Sequence, residues 1–479
     1  MNRRRFLATT GQLIPAAIPG LGLASVLQDG SEIPLFVDLT HTVAIVPADF
    51  VGLGYEISSV SRPGLLSTTN AVYLQLVRTL ADRGVIRVGG NTSDYSSYSA
   101  TGPAVSSPEG KVGSVVNDAV LRDLGNFLRA TGWRLIWALN LGSSKFDNAI
   151  AEARAVSRTV GDQLLAFEIG NEPDLFPRVH RSTDYGYDAY LREFRSYREA
   201  LQKTIPGVAF AGPDVATRTD WVAKFASDER NNINLLTHHY YRDGARNPTS
   251  TIAELLHPDP RLTQILAQLF SASQSSGLAY RICETNSFYG GGKPGVSDTL
   301  ASALWVLDFM FTLASAGCGG VNMETGVNQL GFISSYSPIG DDEHGHYYAA
   351  PEYYGMLAFT QAARGRILGC TLGRTDRNIK AFATLSDDNH LVLTVINKEA
   401  SRDAAILVDR NLWSKFPSAS LIRLLGPAID SKSGITLGGS KVSDDGSWKA
   451  TRVEALPLKS LQAGLQVPRA SAAIVHLHR

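Results

Sequence analysis

Residues Leu164–Phe176 read LLAFEIGNEPDLF. The first half is an apolar run of strand character, and GNEP stops it abruptly. Gly170 and Pro173 suit the turn that ends a strand. Asn171 and Glu172 do little for a turn, yet they set an amide and a carboxyl at the mouth of whatever sheet the strand joins. Seven more runs share this character: FVGLGYEIS, VIRVGG, RLIWALN, VAFAGPD, INLLTHHYY, AYRICET and CGGVNM. Amphipathic stretches lie between them, among them Asn70–Arg83, Asp118–Thr131, Asp184–Thr204 and Asp298–Ala316. Strand and helix alternate eight times, which predicts a parallel sheet with helices outside it. Eight repeats over roughly 310 residues suit an α/β (β/α)8 TIM barrel. A doubly wound open sheet is the alternative, but it would want a glycine-rich phosphate turn after its first strand, and GLGYEIS is not one.

The chain has 479 residues, too many for one ordinary core. After about Arg366 the texture changes to short, partly alternating strands: IKAFATLS, HLVLTVINK, AAILVD, SLIRLLG and ASAAIVHLH. These predict an all-β sandwich. The early run IPLFVDLTHTVAIV also reads as strand and is placed to pair with that module. The expected organisation is therefore an export signal over 1–30, N-terminal strand over 31–46, the barrel over 47–365 and the β-sandwich over 366–479. The signal rests on MNRRRFLATTGQLIPAAIPGLGLASVL, which starts basic and has no acidic residue before Asp29. RRRFL resembles a twin-arginine signal, which implies a bacterial protein exported folded to the periplasm or medium. Pro15 and Pro19 make this stretch a poor membrane span, and no other segment reads as one. Lys plus Arg and Asp plus Glu both number 45, so nothing suggests a nucleic-acid binder. Cys283, Cys318 and Cys370 fit no zinc motif and read as small core residues.

A (β/α)8 barrel builds its site at the C-terminal ends of the strands. Those ends are polar here: Tyr55-Glu56, Arg87 before GGNTSDYS, Asn140, Asn171-Glu172, Asp214, HHYY, Glu284-Thr285-Asn286 and NMETG. Glu172 and Glu284 close the fourth and seventh strands, across the mouth from each other. Two facing carboxyls suit glycoside hydrolysis, which needs one acid for the leaving oxygen and one carboxylate for the sugar carbon. The plainer reading pairs both with arginines; the amide beside Glu172 favours the first, because it can hold a sugar hydroxyl. Arg87 is the cation placed to keep one carboxyl ionised. His238 and Tyr240 are read as the inward pair of HHYY, since a strand alternates its faces. Tyr336, in the long aromatic loop after the eighth strand, is a candidate substrate contact.

GNEP on the fourth strand with a Glu ending the seventh resembles the retaining glycosidases of clan A. IRVGGNTSDYS, IGNEPDLF, AGPDV, THHYY and ETNSFYGGG together resemble glycoside hydrolase family 79, which contains β-glucuronidases and heparanase. The resemblance implies that Glu172 is the acid/base and Glu284 the nucleophile, about 5 Å apart in a retaining enzyme. It further implies that Asn171 holds the sugar 2-hydroxyl, that Tyr240 sits beside the nucleophile and that Glu56 contacts sugar hydroxyls. The glycine turn at Tyr289, Gly290 and Gly291 would receive the C5 carboxylate of a glucuronide through backbone N–H groups. Lys293 is a candidate to add charge there. The expected substrate is a carbohydrate bearing β-linked glucuronic acid, cleaved in exo mode with no cofactor and no metal. Neutral β-glycosides, endo cleavage and a binding protein without catalysis are the alternatives. Oligomeric state has no signature in the sequence.

Overall fold

The computed structural model describes residues 32–107, 113–329, 334–413, 415–457 and 464–478, so the expected export signal lies outside the described residues. Eight parallel strands form the larger module: β1 (Gly52–Glu56), β2 (Val85–Gly89), β3 (Arg134–Leu139), β4 (Leu164–Ile169), β5 (Ala211–Val215), β6 (Leu235–Gly244), β7 (Ala279–Tyr289) and β8 (Val321–Glu324). They neighbour one another in the order β4-β3-β2-β1-β8-β7-β6-β5, and a parallel bridge between Phe167 and Phe210 joins the two ends. All eight strands fall on the runs that the sequence marks, and the sheet is a (β/α)8 barrel.

The helices around it follow from apolar spacing. Asp118–Thr131 buries Val120, Leu121, Leu124, Phe127 and Leu128, one stripe of a 3.6-residue repeat. The Asn117 side chain accepts the Val120 N–H at its start, and Gly132 ends it at φ +74°. Inside the barrel, Val85, Ile136 and Cys283 pack as a small apolar floor. The polar residues of the mouth stand on this floor.

The second module begins with the N-terminal strand Ile33–Val46, which pairs antiparallel with β9 (Gly365–Leu372) and parallel with β12 (Ala404–Val408). With β10 (Ile379–Leu385), β11 (Leu391–Asn397), β13 (Ser418–Leu425), β14 (Leu465–Val467) and β15 (Ser471–His478) it makes one hydrogen-bonded sheet. Leu35, Leu393, Leu421, Val467 and Val475 come from distant strands of that sheet and share one apolar cluster. The layers of the expected sandwich are thus two halves of one continuous sheet curled on itself. The outward face carries Ile396, Ile422, Leu424 and Ile474 into the core of the barrel's helices. Phe382 stacks on Phe311 there, with ring centroids 4.5 Å apart.

One buried acid sits among those helices. Glu152, on Phe146–Val160, is fully buried and accepts the Trp137 indole N–H at 2.9 Å. Its other oxygen has no partner among the described residues. Burial pushes its pKa up to about 7, well above the ordinary 4.5. A folded pKa raised above the unfolded one contributes stability that is full below about 4.5 and is lost as pH rises through about 7. Glu152→Gln should remove that loss. Between these two pH values the variant should gain on the wild type by up to about 3 kcal/mol, measured by denaturant unfolding at each pH. A difference that does not change with pH would contradict the burial account.

Candidate active site

The site is organised around one guanidinium. Arg87 projects from β2 into the barrel and is fully buried. Its Nε donates to Glu168 of β4 at 3.1 Å, and its Nη1 to Glu284 of β7 at 2.7 Å. Its Nη2 donates to Asn171 at 2.8 Å and to Asp214 of β5 at 2.6 Å. Burial would push Asp214 up, but Arg87 and His239 hold it well below the usual carboxylate range. Glu168 is pushed up to about 7, by burial and then by the Asp214 charge.

GNEP reaches this network through a strained turn. Gly170 takes φ +79°, and Glu172 follows at φ +50°, a left-handed conformation rare for a residue with a side chain. The turn is tied down at each step. The Asn171 N–H donates to Asp94, whose other oxygen accepts from Leu141 and Gly142. The Glu172 N–H donates to the Asp214 carbonyl at 2.9 Å, and Pro173 opens the 3-10 helix Pro173–Arg178. The Glu172 side chain then meets His239 Nδ1 at 3.0 Å, while His239 Nε2 meets Asp214 at 2.7 Å. Burial raises the Glu172 pKa, the nearby Glu284 charge adds to it, and His239 opposes both; the net direction is up. One oxygen of Glu172 and one of Glu284 lie within 4.8 Å of each other.

The sequence misread the phase of HHYY. His239 and Tyr241 face the interior, and Tyr241 donates its hydroxyl to Glu284 at 3.0 Å. His238 is buried on the opposite side with neither ring nitrogen paired among the described residues, and burial lowers its pKa to about 3. Tyr240 donates to Asp259 and stacks on Phe309, 5.4 Å between centroids. Two His followed by two Tyr put one of each inside in either register, so the motif alone leaves the phase open. Thr237 shares the face of His239 and Tyr241, and its hydroxyl accepts the Asp214 N–H at 3.0 Å. On β7 the pairing slips by one residue between Ile282 and Glu284. This irregularity lets Cys283 pack on the floor while Glu284 also reaches the interior.

Above the two carboxyls lies a cavity of about 790 Å³. Glu56, Tyr289, Gly290, Gly291 and Tyr336 line it together with Glu172 and Glu284. Tyr336 stacks on Tyr241 at 6.3 Å, and Gly290 and Gly291 hold φ of +85° and +90°. Glu56 accepts the N–H groups of Asn91 and Thr92, and burial with the Glu284 charge pushes it up to about 7. Asn171 lies below this surface. Its oxygen is taken by Arg87, and its amide donates to the cavity-lining Asn91 at 3.3 Å. Lys293 does not reach the cavity. Its ammonium donates to the Asn247 carbonyl at 2.9 Å, which corrects the charge expected from it at the glycine turn. Sequence reasoning also passed over Glu324, which ends β8 inside the NMETG motif. It lines the cavity, neither oxygen has a partner among the described residues, and burial followed by the Glu284 and Glu56 charges raises its pKa well above the ordinary value.

Glu172, His239 and Glu284 also bring three metal-ligand atoms together. The donor set does not suit a cation, because both His239 nitrogens already face carboxylates. Burial opposes a charge on this ring, yet Asp214 and Glu284 outweigh it and hold the pKa well above 6.5. With Nε2 on Asp214 and Nδ1 on Glu172, the ring has no nitrogen free for a metal ion. Among the described residues no helix is long and apolar enough to cross a membrane.

No family model matches the chain. It is 27% identical to a β-glucuronidase of Aspergillus niger over 421 residues, covering 79% of this chain and 74% of that one. It is 26% identical to a β-glucuronidase of Neurospora crassa over 385 residues, 71% and 67% of the two chains. A solved 4-O-α-L-rhamnosyl-β-D-glucuronidase from Fusarium oxysporum superposes with a TM-score of 0.75 at 17% identity, over 93% of this chain and 99% of that one. The barrel with its β module is therefore a known glycosidase fold, and the resemblance to family 79 extends well beyond the motifs.

Replacing Arg87 by Met would keep the bulk and strand Glu168, Asp214 and Glu284 in the interior. Breaking a buried ion network from one side costs about 3–5 kcal/mol. Arg87→Met should lose about that much in denaturant unfolding at neutral pH and less in acid, where the stranded carboxyls are neutralised. A loss under about 1 kcal/mol at neutral pH would mean that the network does not hold the barrel mouth.

Proposed function

We propose that the protein is a retaining glycoside hydrolase that releases β-linked glucuronic acid, in exo mode, from glycans or glycoconjugates. The observation that carries this reading is the approach of Glu172 and Glu284 to within 4.8 Å at the bottom of the cavity. That spacing suits a retaining pair, at about 5–5.5 Å between carboxyls, and leaves no room for the water of an inverting pair at about 6.5–9.5 Å. The two similar β-glucuronidases and the solved rhamnosyl-glucuronidase support the substrate class.

The two carboxyls have different surroundings and so different roles. Glu284 takes hydrogen bonds from Arg87 and Tyr241, which favour a carboxylate able to attack the anomeric carbon. Glu172 has a raised pKa and begins as the acid that protonates the leaving oxygen. After the glycosyl-enzyme forms, Glu172 takes a proton from water, which releases the sugar with retained configuration. The turn at Tyr289–Gly291 lies at the cavity wall, where its backbone can meet the glucuronide carboxylate. Glu56 and Glu324 face sugar hydroxyls from the far wall, with Glu324 as a neutral acid able to donate. Export of the chain is a further part of the proposal, supported by its basic, acid-free N-terminus.

Hydrolysis of 4-nitrophenyl β-D-glucuronide should far exceed that of the matching glucoside and xyloside. Glu284→Gln should lower it by a factor on the order of 10⁴ or more with the fold intact. Undiminished activity in that variant would sink the assignment. The phase of HHYY has its own test. Tyr241→Phe removes a hydrogen bond to a charged group, worth about 1.5–3 kcal/mol, so kcat/KM should fall about 10- to 100-fold. Tyr240→Phe should leave the kinetics nearly unchanged; the opposite ranking would restore the register read from the sequence.

A further inference from the structure

We infer that His239, held as an imidazolium by Asp214, is a positioning residue for Glu172: it directs the acid's proton toward the leaving group and stabilises the carboxylate left when that proton departs. This rests on the reading of Glu172 as the acid/base.

The geometry leaves few choices. Asp214 holds its second oxygen on Arg87 and its first on His239 Nε2, at 2.6 and 2.7 Å. An ionised carboxylate only accepts, so Nε2 must carry a proton. The other ring nitrogen then faces Glu172 Oε1 at 3.0 Å. Further carboxyls face the same ring: Glu284 at 3.9 Å, and Glu168 and Glu324 beyond it. The cation near it is Arg87, which reaches it through Asp214; burial keeps the adjacent His238 neutral. Asp214 on Nε2 and Glu284 at 3.9 Å thus dominate the surroundings, and the second ring nitrogen is protonated too. An N–H aimed at Oε1 leaves the carboxyl proton of Glu172 to Oε2, the other oxygen of the cavity-lining side chain.

The reaction steps balance around a ring that keeps both protons. In the first step the Oε2–H bond breaks, and its proton goes to the glycosidic oxygen. The anomeric C–O bond breaks with its electron pair to that oxygen, while a Glu284 oxygen forms the new bond to carbon. Glu172 is left as a carboxylate against an existing cation. In the second step it takes a proton from a water whose oxygen bonds to the anomeric carbon, and the bond from Glu284 to that carbon breaks with its electron pair returning to the carboxylate.

A merely structural His239 would set the level of activity. A charged one also sets where Glu172 titrates. Its cation lowers the Glu172 pKa, so removing the charge must raise it, and activity that needs the protonated acid must persist to higher pH. His239→Asn keeps an N–H donor toward Glu172 and removes the charge. The measurement is kcat/KM against pH for phenyl β-D-glucuronide, whose leaving group needs the proton, beside the 2,4-dinitrophenyl glucuronide, which does not. For the phenyl substrate the basic limb should move up by about one pH unit in His239→Asn. The dinitrophenyl substrate should show no such limb in either enzyme. A uniform drop with the limb unmoved, or a limb that moves down, would overturn the inference. A second readout needs no activity: the ¹⁵N shifts of His239 in the wild-type protein at about pH 8 should show both ring nitrogens protonated. A neutral ring there would overturn the inference even if the variant fails to fold. If glucuronides are not hydrolysed at all, the function falls while the NMR arm still decides the state of His239.

Discussion

A single buried guanidinium decides what the mouth of this barrel can be. Arg87 leaves β2 with four hydrogen bonds, to side chains that follow or belong to β4, β5 and β7. No other side chain could do this. Lysine offers a point charge with three donors, whereas the planar guanidinium offers five in a fixed fork and never loses its charge. Such a buried network is weak evidence for stability, since well-packed apolar residues often serve a core better. What it supplies is position. The carboxylates cannot move without leaving a charge unpaired, so the reacting groups stay where the fold puts them.

The same network gives two chemically identical side chains different duties. Glu284 is met by the donors of Arg87 and Tyr241. Glu172 sits on a left-handed turn, two layers away from Arg87 through Asp214 and His239. A chain of alternating charge thus runs from one carboxyl to the other. Giving paired carboxyls different surroundings is how one site runs acid and base chemistry together. The strain at Glu172 belongs to this arrangement, because a relaxed turn would not aim the carboxyl at its partner.

Much of this is legible in the sequence. The barrel follows from eight alternations, and Glu172, Glu284, Arg87, Glu56, Tyr289 and Tyr336 stand where strand ends and motifs put them. The failures have physical reasons. HHYY is degenerate under a one-residue shift, so a period of two cannot choose between His238 and His239. The slip on β7 at Ile282–Glu284 breaks simple alternation in the very strand that carries the nucleophile. Lys293 has a long stem that can turn either way, and it found the Asn247 carbonyl. Glu324 escaped notice because a lone acid at a strand end reads as solvated, and only burial marks it out. Asp94 was hidden in a polar loop, and its three backbone partners come from two other strand ends.

The account stands or falls on which carboxyl meets the sugar carbon. The direct measurement is to trap the covalent intermediate with a 2-deoxy-2-fluoro-β-D-glucuronyl fluoride and map the labelled peptide by mass spectrometry. The label should sit on Glu284, within the ETNSFYGGG segment. A label on Glu172 or Glu56, or turnover of glucuronides with no trapped adduct, would contradict the assignment of the nucleophile.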